Sequence, residues 1–420
     1  MHRCRPPSTM RCAASSRSAA APPSTTPRAC RSGCAARPAR RARSTNLSAT
    51  ALPSAAPPRP TDVPSRPPSQ GVHMRALTYV DIDRVEMADM PVPIIEEPTD
   101  VVLRVTTTAI CGSDLHVLRG RVPGVLPGTT LGHEFTGVVE EVGSAVTTVK
   151  AGDRVLASFN IPCGRCWFCQ QRLFSRCPDA RTVGYGMFAG DLQGAQADYV
   201  RVPNADLCLR IIDDGVSDET VLFAGDIFTT GYDCAVEGQI HEGDTVVVQG
   251  CGPVGLMAIQ AARTFGPSAI YAVDTVSQRL EVAQSFGAIP VDASTVHAPS
   301  HIQDHTGGRG AEVALECVGA RPALIDAIDS VRAGGRVSVI GIYSDPGMEM
   351  PLTTTFLKGI DIKFCGTANI VGRWDEALAL ITSGAADPAS IISHRMKLDD
   401  AVHGYELFAN REALKVVLTP

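Results

Sequence analysis

Residues 245–255 read Thr-Val-Val-Val-Gln-Gly-Cys-Gly-Pro-Val-Gly, a pattern that indicates the fold class. Val246–Val248 is a β-branched run typical of a buried parallel strand. The glycines after it predict a tight turn that opens a helix over Leu256–Phe265, because their spacing lets a pyrophosphate approach the backbone and lets the helix pack closely on the strand. The free N–H groups at the helix N-terminus would face the phosphates. We therefore predict a dinucleotide site at Gly250, Gly252, Pro253, Val254 and Gly255.

A second strand supports this interpretation. It is predicted over Ala269–Val273 and is followed by Asp274, nineteen residues beyond Gly255. A carboxylate at this distance can bind both ribose hydroxyls and would repel a 2′-phosphate, which favours NAD over NADP. Further strand-like runs at 312–318 and 336–342 continue the alternation expected of a doubly wound α/β sheet.

Four cysteines lie in one short run, spaced x2, x2 and x7. The sequence shows no secretory signal, so a metal site is a better interpretation than a pair of disulfides. Four thiolates can close a tetrahedron around Zn²⁺ and leave no open position. The run therefore predicts a structural zinc held by Cys163, Cys166, Cys169 and Cys177.

A second metal site is suggested further upstream. Residues 111–116 read Cys-Gly-Ser-Asp-Leu-His, and residues 131–137 read Leu-Gly-His-Glu-Phe-Thr-Gly. Cys111 and His133 would be two zinc ligands of mixed type, and a catalytic zinc needs a third protein ligand and one open position. Spacing alone leaves the third ligand open, and a lone Cys or His is also common as a core residue.

Composition limits the classes of function. The chain has 420 residues, is 44% hydrophobic and 20% charged, and is long enough for two or three domains. Its net charge of −6 divides into +11 over residues 1–73 and −17 over the remainder. The acidic body argues against a nucleic-acid partner, and the lack of a run of about 18 apolar residues argues against a transmembrane helix.

Residues 1–73 differ from the rest of the chain. They hold twelve Arg, thirteen Pro and a single acid, Asp62. Such a segment buries too little apolar surface to offset its chain entropy, so we expect it to be disordered. Three interpretations stay open: an extension upstream of a start at Met74, an organelle transit peptide, and a basic arm for nucleic acid. The first is favoured, because the prolines break an amphipathic leader helix and the segment has no aromatic residue for base stacking.

Together these motifs resemble the zinc-dependent medium-chain alcohol dehydrogenases over nearly all of residues 74–420. The segment from Gly132 to Val146, Gly-His-Glu-x2-Gly-x5-Gly-x2-Val, is similar to that family's zinc signature. The resemblance implies an α/β protein with a GroES-like, β-rich catalytic domain and a doubly wound Rossmann domain. The implied domain limits are 74–228 for the catalytic domain, 229–366 for the NAD-binding domain and 367–420 for a return to the catalytic domain.

The resemblance also implies cofactors and partners. We expect one catalytic and one structural zinc per chain, NAD, and a small alcohol or aldehyde substrate in the cleft between the domains. A homo-oligomer, either a dimer or a tetramer, is expected as well. The strand at Val337–Ile342 would lie near the sheet edge and pair across a dimer, as in relatives.

The roles of single residues follow from the same resemblance. The third zinc ligand is expected at Asp226, where many relatives carry Cys, and Glu134 is a nearby carboxylate that we keep as an alternative ligand. Gly112 departs from relatives that place Arg there for the cofactor phosphate. Three further residues match the surroundings of the zinc: Ser113 and His116 match the proton relay, and Asp114 matches the carboxylate that orients the histidine ligand. Phe159 matches a wall of the substrate site, and Thr230 matches a residue beside the nicotinamide. Arg279 matches a base near the adenosine ribose, and Lys415 matches a base that meets the pyrophosphate.

These implications predict a dehydrogenase in which zinc activates an alcohol, Ser113 and His116 carry its proton to solvent, and a hydride passes to NAD. One alternative is a zinc- and NAD-binding protein with a structural or sensing role and no turnover. Another is a zinc-free enoyl or quinone reductase on the same fold, which would have no use for Cys111 and His133. We expect a cytoplasmic protein, with organelle targeting by residues 1–73 as the alternative.

Overall fold

The computed structural model describes residues 72–186, 190–343 and 347–420. The extension predicted at 1–73 lies outside these ranges apart from Val72 and His73, so the interpretations of it stay predictions. Within the described ranges, no helix is both long enough and apolar enough to cross a membrane.

The strands of the described residues are, in chain order, β1 (His73–Asp81), β2 (Arg84–Pro91), β3 (Val101–Ile110), β4 (Glu134–Val142), β5 (Arg154–Ala157), β6 (Asn160–Ile161), β7 (Arg181–Thr182), β8 (Tyr199–Val202), β9 (Leu209–Ile211), β10 (Thr245–Gln249), β11 (Ala269–Asp274), β12 (Ile289–Asp292), β13 (Ala311–Glu316), β14 (Val331–Val339), β15 (Asp361–Phe364), β16 (His394–Lys397) and β17 (Val416–Thr419).

The α-helices of the same residues are α1 (Asp114–Leu118), α2 (Trp167–Gln170), α3 (Ala205–Cys208), α4 (Asp218–Leu222), α5 (Ile227–Glu237), α6 (Pro253–Arg263), α7 (Ser277–Ser285), α8 (Ala298–His305), α9 (Arg321–Ser330), α10 (Leu352–Lys358), α11 (Ile370–Thr382) and α12 (Ala401–Ala409). Short 3-10 helices are formed by Phe174–Arg176, Phe223–Gly225, Pro388–Ile391 and Leu398–Asp400.

A six-stranded parallel sheet forms around β10, in the order β12-β11-β10-β13-β14-β15. Val246 and Val248 of β10 pack in one core with Leu256 of α6. Val247 packs in another core with Ile302 of α8 and with residues of α9. Because successive side chains of a strand point to opposite faces, both faces of this sheet are covered by helices. This confirms the doubly wound α/β sheet predicted from the valine run.

The strand expected at Val337–Ile342 lies next to the sheet edge, but it is not free to pair with another chain. The run predicted at 336–342 overlaps β14 at 336–339; β14 starts earlier, at Val331, ends at Val339, and pairs with β13 on one side and β15 on the other. It is therefore an internal strand, and the edge next to it is β15. Alternating hydrophobicity identified a strand here but could not show that a further short strand, 361–364, would cover its outer side.

A seven-stranded sheet holds most of the upstream strands, in the order β16-β17-β3-β4-β5-β9, with β8 also paired to β3. Since β16 and β17 follow the parallel sheet in the sequence, the chain returns to this sheet at its C-terminal end. The domain limits given above stay predictions. The limit between residues 228 and 229 falls within the first turn of α5.

The glycine loop between β10 and α6 is closely packed on one side and open on the other. A Cβ at Gly255 would lie 1.8 Å from the carbonyl oxygen of Gly250, so only glycine fits there. A Cβ at Gly252 would meet nothing nearer than Arg279 Nη1 at 4.0 Å. The helix begins at Pro253, three residues before the predicted start at Leu256, because proline is well suited to the first turn of a helix.

We predict that Gly255→Ala lowers the free energy of unfolding by at least about 1–3 kcal/mol, because the added methyl group would overlap a backbone carbonyl that cannot rotate away. Gly252→Ala is the matched control. Its φ of −66° suits any residue and its surroundings are open, so its unfolding should match that of the parent. Chemical denaturation measures both, and equal stability of the two variants would contradict the packing described here.

Candidate metal centre and active site

The ligands predicted for a catalytic zinc meet at one buried point. Cys111 directly follows β3 and His133 directly precedes β4, and the pairing of Ala109 with Glu134 brings these strand ends side by side. Asp226 stands at the N-terminus of α5. The donor atoms of Cys111, His133, Glu134 and Asp226 all lie within 4.8 Å of one another, and all four residues are buried. We call these four residues the ligand cluster.

The spacing within the ligand cluster fits a zinc ion. Cys111 Sγ lies 3.6 Å from Asp226 Oδ2, and His133 Nε2 lies 3.3 Å from the same oxygen. Zinc bonds of roughly 2.0–2.3 Å place tetrahedral donors about 3.3–3.8 Å apart. A thiolate, an imidazole and a carboxylate are also ligands that zinc accepts. Three of the four residues can therefore hold the ion and leave one position for a substrate.

The electrostatics of the ligand cluster also call for a cation. Burial, with the nearby carboxylates of Glu134 and Asp226, raises the pKa of the Cys111 thiol to about 11. Burial alone would lower the pKa of His133, but Asp114 and Asp226 outweigh it and raise that pKa well above its ordinary value. Without a metal, the histidine would thus be protonated and the cysteine neutral. A divalent cation would reverse both states by taking the place of the protons.

Asp114 holds two of the ligand residues in position. Its Oδ1 lies 3.1 Å from His133 Nδ1, and its Oδ2 accepts a hydrogen bond of 2.9 Å from the backbone N–H of Cys111. Gln196 Nε2 donates to Oδ2 at 3.4 Å, and Tyr405 Oη donates to Gln196 Oε1 at 2.8 Å. The contacts of Asp114 with His133 and Cys111 support the orienting role predicted for it. Gln196 and Tyr405 were missed, since nothing in the local sequence links them to residue 114.

Lys415 lies elsewhere than predicted. Its Nζ is fully buried and forms a 2.7 Å ion pair with Glu134 Oε1, and it also lies 5.2 Å above the ring of Phe223. The amine therefore neutralises a carboxylate of the ligand cluster and does not stand free to meet a pyrophosphate. The expectation failed because the acid that attracts this amine, Glu134, is 281 residues away in the sequence.

Two of the predicted catalytic residues, Ser113 and Thr230, adjoin the ligand cluster. Ser113 Oγ lies 3.1 Å from His133 Nε2, and Thr230 Oγ1 donates a 3.1 Å hydrogen bond to Asp226 Oδ1. His116 lies on α1 and is half-buried. Burial, with the positive charges of Arg121 and Arg119 as smaller causes, lowers its pKa below the ordinary value of 6.5.

Two aromatic rings border the histidine ligand. Phe159 and Tyr185 both meet His133 edge to face, with ring centroids 5.9 and 5.4 Å from the imidazole. Phe159 was predicted as a wall of the substrate site, and it lies next to a proposed zinc ligand. Tyr185 was not predicted. Burial raises its pKa far above the ordinary value of 10.0, so its hydroxyl stays protonated.

The four cysteines of the short run also converge. Their Sγ atoms lie within 4.8 Å of one another, with Cys166 and Cys169 separated by 3.5 Å. Burial opposes ionisation of Cys163, but backbone N–H groups of Arg165 and Cys166 outweigh it and lower the pKa of this thiol to about 7. Burial and the neighbouring Cys166 raise the pKa of Cys169 to about 12. Four sulfurs at this spacing fit a closed tetrahedral zinc site, with Cys177 as the fourth ligand.

Asp274 ends β11 and lies next to the glycine loop, where the ribose-binding carboxylate was expected. Its Oδ2 accepts a 2.7 Å hydrogen bond from the backbone N–H of Cys251, and its Oδ1 accepts from Thr275 and Val276. Arg279 Nη1 lies 3.9 Å from the same carboxylate. The acid thus braces the loop, and a positive side chain stands beside it at the open face of Gly252.

Helix α11 holds the turn that precedes Asp226 of the ligand cluster. Trp374 is fully buried, and its Nε1 donates a 2.7 Å hydrogen bond to the carbonyl of Ala224, in the 3-10 turn just before Asp226. Thr229 Oγ1 donates to the same carbonyl at 2.7 Å. These two bonds fix the turn that presents Asp226. The sequence carries no local signal for Trp374, because the carbonyl that it binds lies 150 residues upstream.

Residues 163–177, which carry the four cysteines and which we call the cysteine lobe, are attached to the start of the same helix. The side-chain amide of Asn369 donates to the carbonyl of Arg172 at 2.9 Å, and its Oδ1 accepts from the N–H of Phe174 at 3.1 Å. Both partners lie between the third and fourth cysteines of the run. The backbone N–H of Asn369 donates to Asp233 of α5 at 3.1 Å. One residue therefore joins the cysteine lobe to the helix that begins at Asp226.

Comparison with known proteins gives two family matches. Residues 97–213 match the family described as alcohol dehydrogenase GroES-like domain, and residues 253–383 match the one described as zinc-binding dehydrogenase. The first match contains Cys111, His133 and the cysteine lobe, and the second begins at the N-terminus of α6. Asp226 lies between the two.

Individual proteins agree with these matches. An alcohol dehydrogenase of Cupriavidus necator is 35% identical over 365 residues, covering 83% of this chain and 99% of that protein. The structure of alcohol dehydrogenase TADH from Thermus sp. ATN1 matches with a TM-score of 0.79 and 41% identity, over 82% of this chain and 99% of that one. A Sinorhizobium meliloti protein assigned to the zinc-binding dehydrogenases, solved with NADP bound, matches with a TM-score of 0.74 and 26% identity, over 83% of this chain and 100% of that one.

We predict that Trp374→Phe lowers the free energy of unfolding by about 1 kcal/mol. The substitution removes one of the two hydrogen bonds that the buried carbonyl of Ala224 accepts, and the bond from the Thr229 hydroxyl remains. The ligand cluster should also release zinc to a chelator faster than in the parent, since the turn before Asp226 is less firmly held. The chain's other tryptophan provides the control: Trp167 is 63% exposed, and Trp167→Phe should change neither quantity. Parental zinc release from Trp374→Phe would rule out the supporting role.

Proposed function

The chain belongs to the zinc-type alcohol dehydrogenase family, and from this premise we propose that it transfers a hydride between a small alcohol and NAD, with zinc held by Cys111, His133 and Asp226. Family membership confirms the GroES-like and Rossmann-type architecture and zinc-dependent oxidoreduction. The alternative of a non-enzymatic zinc- and NAD-binding protein gains no support from the comparisons.

One observation carries the proposal: a thiol, an imidazole and a carboxylate converge in a buried site at the N-terminus of α5. This helix packs closely on α6, where a Cβ at Gly231 would lie 2.5 Å from the backbone nitrogen of Ala258. Since α6 begins at the glycine loop, the helix that presents Asp226 is in direct contact with the helix that would bind the dinucleotide. The metal ligands and the cofactor loop are thus connected through a rigid helix pair.

When bound, zinc supplies a Lewis acid that polarises the alcohol oxygen and lowers its pKa, and the nicotinamide supplies a hydride acceptor. The chain itself orients the reactants and moves the proton. Asp114 fixes the ring of His133, which keeps its Nε2 directed at the ligand cluster. Ser113 Oγ, next to that nitrogen, is placed to take the alcohol proton. The rings of Phe159 and Tyr185 lie against His133 and exclude water from that side of the ligand cluster.

Asp226 is the better candidate for the third ligand, and Glu134 the weaker one. Burial raises the pKa of Asp226, but hydrogen bonding and charge from His133, together with Lys415, outweigh it and lower that pKa below its ordinary value. Asp226 is therefore ionised and faces both other ligands. Glu134 Oε1 is already paired with Lys415, and burial raises the pKa of this carboxyl.

NAD is favoured over NADP by the carboxylate of Asp274, whose negative charge would repel a 2′-phosphate. Arg279, 3.9 Å away, offsets part of that charge. We therefore propose that NAD is the preferred cofactor and that NADP is used more weakly.

Further proposals follow from the same premise. We assign the structural zinc to Cys163, Cys166, Cys169 and Cys177, and we place the enzyme in the cytoplasm, where such thiolates stay reduced. We also propose a homo-oligomer, dimer or tetramer. The six-stranded sheet ends at β15, where Phe364 is 48% exposed, and an open sheet edge of this kind favours pairing with another chain.

We predict two zinc ions per chain and NAD reduction with at least one alcohol of a small panel. Cys111→Ser should keep one zinc and lose more than about a thousandfold in turnover, because the Lewis acid contributes several kcal/mol to the reaction. Cys163→Ser should lose the other zinc and mainly lower the unfolding temperature, so each variant is a control for the other. Metal analysis and NADH absorbance measure these effects. Undiminished NAD reduction by Cys111→Ser would overturn the proposal.

We predict a pH dependence from His116. A relay base must be neutral to accept a proton, so alcohol oxidation should rise with pH through the pKa of His116 and then level off, with the rise below 6.5. The double variant Arg119→Gln, Arg121→Gln removes two positive charges and should move this rise to higher pH. His116→Gln should abolish it. The pH profile of kcat/KM tests this, and an unchanged profile in His116→Gln would contradict the relay.

A further inference from the structure

Three histidines recur at intervals of four residues along one helix of the parallel-sheet half. His297 stands at the N-terminus of α8, and His301 and His305 follow within it. We call these three residues a row because they recur at every fourth position; His301 and His305 are neighbours on one face of the α-helix, and His297 precedes them at the helix start with extended backbone. This row lies outside the ligand cluster and the cysteine lobe, and the proposed function makes no use of it.

The last two rings of the row are in contact. The centroids of His301 and His305 are 4.2 Å apart, with their planes inclined by 31°. The ring of Tyr271, from β11, lies 6.3 Å from both. Tyr271 is buried, so the imidazoles of His301 and His305 lie next to an aromatic side chain of the sheet. His305 is also exposed to solvent. Two histidines four residues apart on one face of a helix have the sequence spacing of histidine pairs that bind one metal ion.

A hydrogen bond fixes the tautomer of the outer ring. His305 Nδ1 lies 2.8 Å from the carbonyl oxygen of His301. A carbonyl can only accept, so Nδ1 must carry the proton and donate it. In the neutral ring, Nε2 then has a free lone pair. Metal-binding histidines usually have their second nitrogen held in this way, by a carbonyl or a carboxylate. His305 is thus prepared to bind through Nε2 before any ion arrives.

His297 extends the row by one turn. Its Nδ1 lies 2.9 Å from Ser300 Oγ, and its side chain is exposed. Because a hydroxyl can donate or accept, this contact does not fix the tautomer. His297 is therefore less well prepared than His305, and the essential pair is His301 with His305.

We propose that His301 and His305 form a surface site for a divalent transition-metal cation, with water completing its coordination. Imidazole suits Zn²⁺, Cu²⁺ and Ni²⁺, and is a poor ligand for Mg²⁺ or Ca²⁺. The site is separate from both zinc sites of the proposed function. An ion held by both rings links successive turns of α8, and because it binds the folded helix, it stabilises the folded protein by mass action.

Nickel titration of the zinc-loaded, full-length protein tests the site. With both proposed zinc sites filled and free metal removed, calorimetry should record one further Ni²⁺ per chain. His301→Gln and His305→Gln should each weaken this binding by about tenfold or more, because losing one arm of a chelate removes its effective-concentration advantage. The double variant should not bind the additional ion. Turnover without nickel should equal that of the parent in all three.

Two histidines elsewhere serve as matched controls. His403 is exposed on α12 and pairs with Glu406 one turn away, and His2 lies next to the chain's amino terminus, where it could bind nickel by itself. His403→Gln and His2→Gln should bind the additional Ni²⁺ as the parent does. Nickel should also raise the unfolding temperature of the parent but not of the double variant. A parent that takes up no further Ni²⁺, or a double variant that takes it up as the parent does, would overturn the proposal.

Discussion

The structure depends on a concentration of acidic groups in a space that water does not reach. Cys111, Glu134 and Asp226 are almost fully buried within a few ångströms of one another. Holding such groups ionised in the interior costs several kcal/mol for each unless opposite charge is close. Lys415 supplies one positive charge at 2.7 Å from Glu134. The proton of His133 balances Asp226 when no metal is bound, and a zinc ion would supply that positive charge in place of the protons on His133 and Cys111. The elements around the cluster bring these groups together.

Each of those elements contributes one ligand residue or holds one in place. The pairing of β3 with β4 brings Cys111 and His133 together, and Asp114 fixes both. Asp226 comes from the N-terminus of α5, after a turn secured by Trp374 of α11. Because α11 also holds the cysteine lobe through Asn369, the two metal-binding regions share a single support. The chemistry of the site thus rests on contacts between segments far apart in the chain.

The sequence predicted what short segments encode. The glycine loop, the cysteine run and the Cys111 and His133 motifs are each set by residues a few positions apart, and the structure brings the named residues together. Asp226 could be chosen only through the family resemblance, since spacing left the third ligand open. Lys415, Gln196 and Trp374 were misassigned or missed, because their partners lie tens to hundreds of residues away and no periodic pattern connects them. The internal position of β14 likewise depends on a later strand, β15, whereas the helix start at Pro253 follows from a local signal, because proline suits the first turn of a helix.

The ion pair between Glu134 and Lys415 has a consequence for the natural variation of this protein. Both side chains are wholly enclosed, so losing either one leaves an uncompensated charge in the interior, which typically costs about 3–5 kcal/mol. A chain that changes one of them is therefore under pressure to change the other, although they stand 281 positions apart. Among descendants of this protein, the two positions should be inherited as a unit: the acid and the amine kept together, or exchanged together for a neutral couple of similar volume.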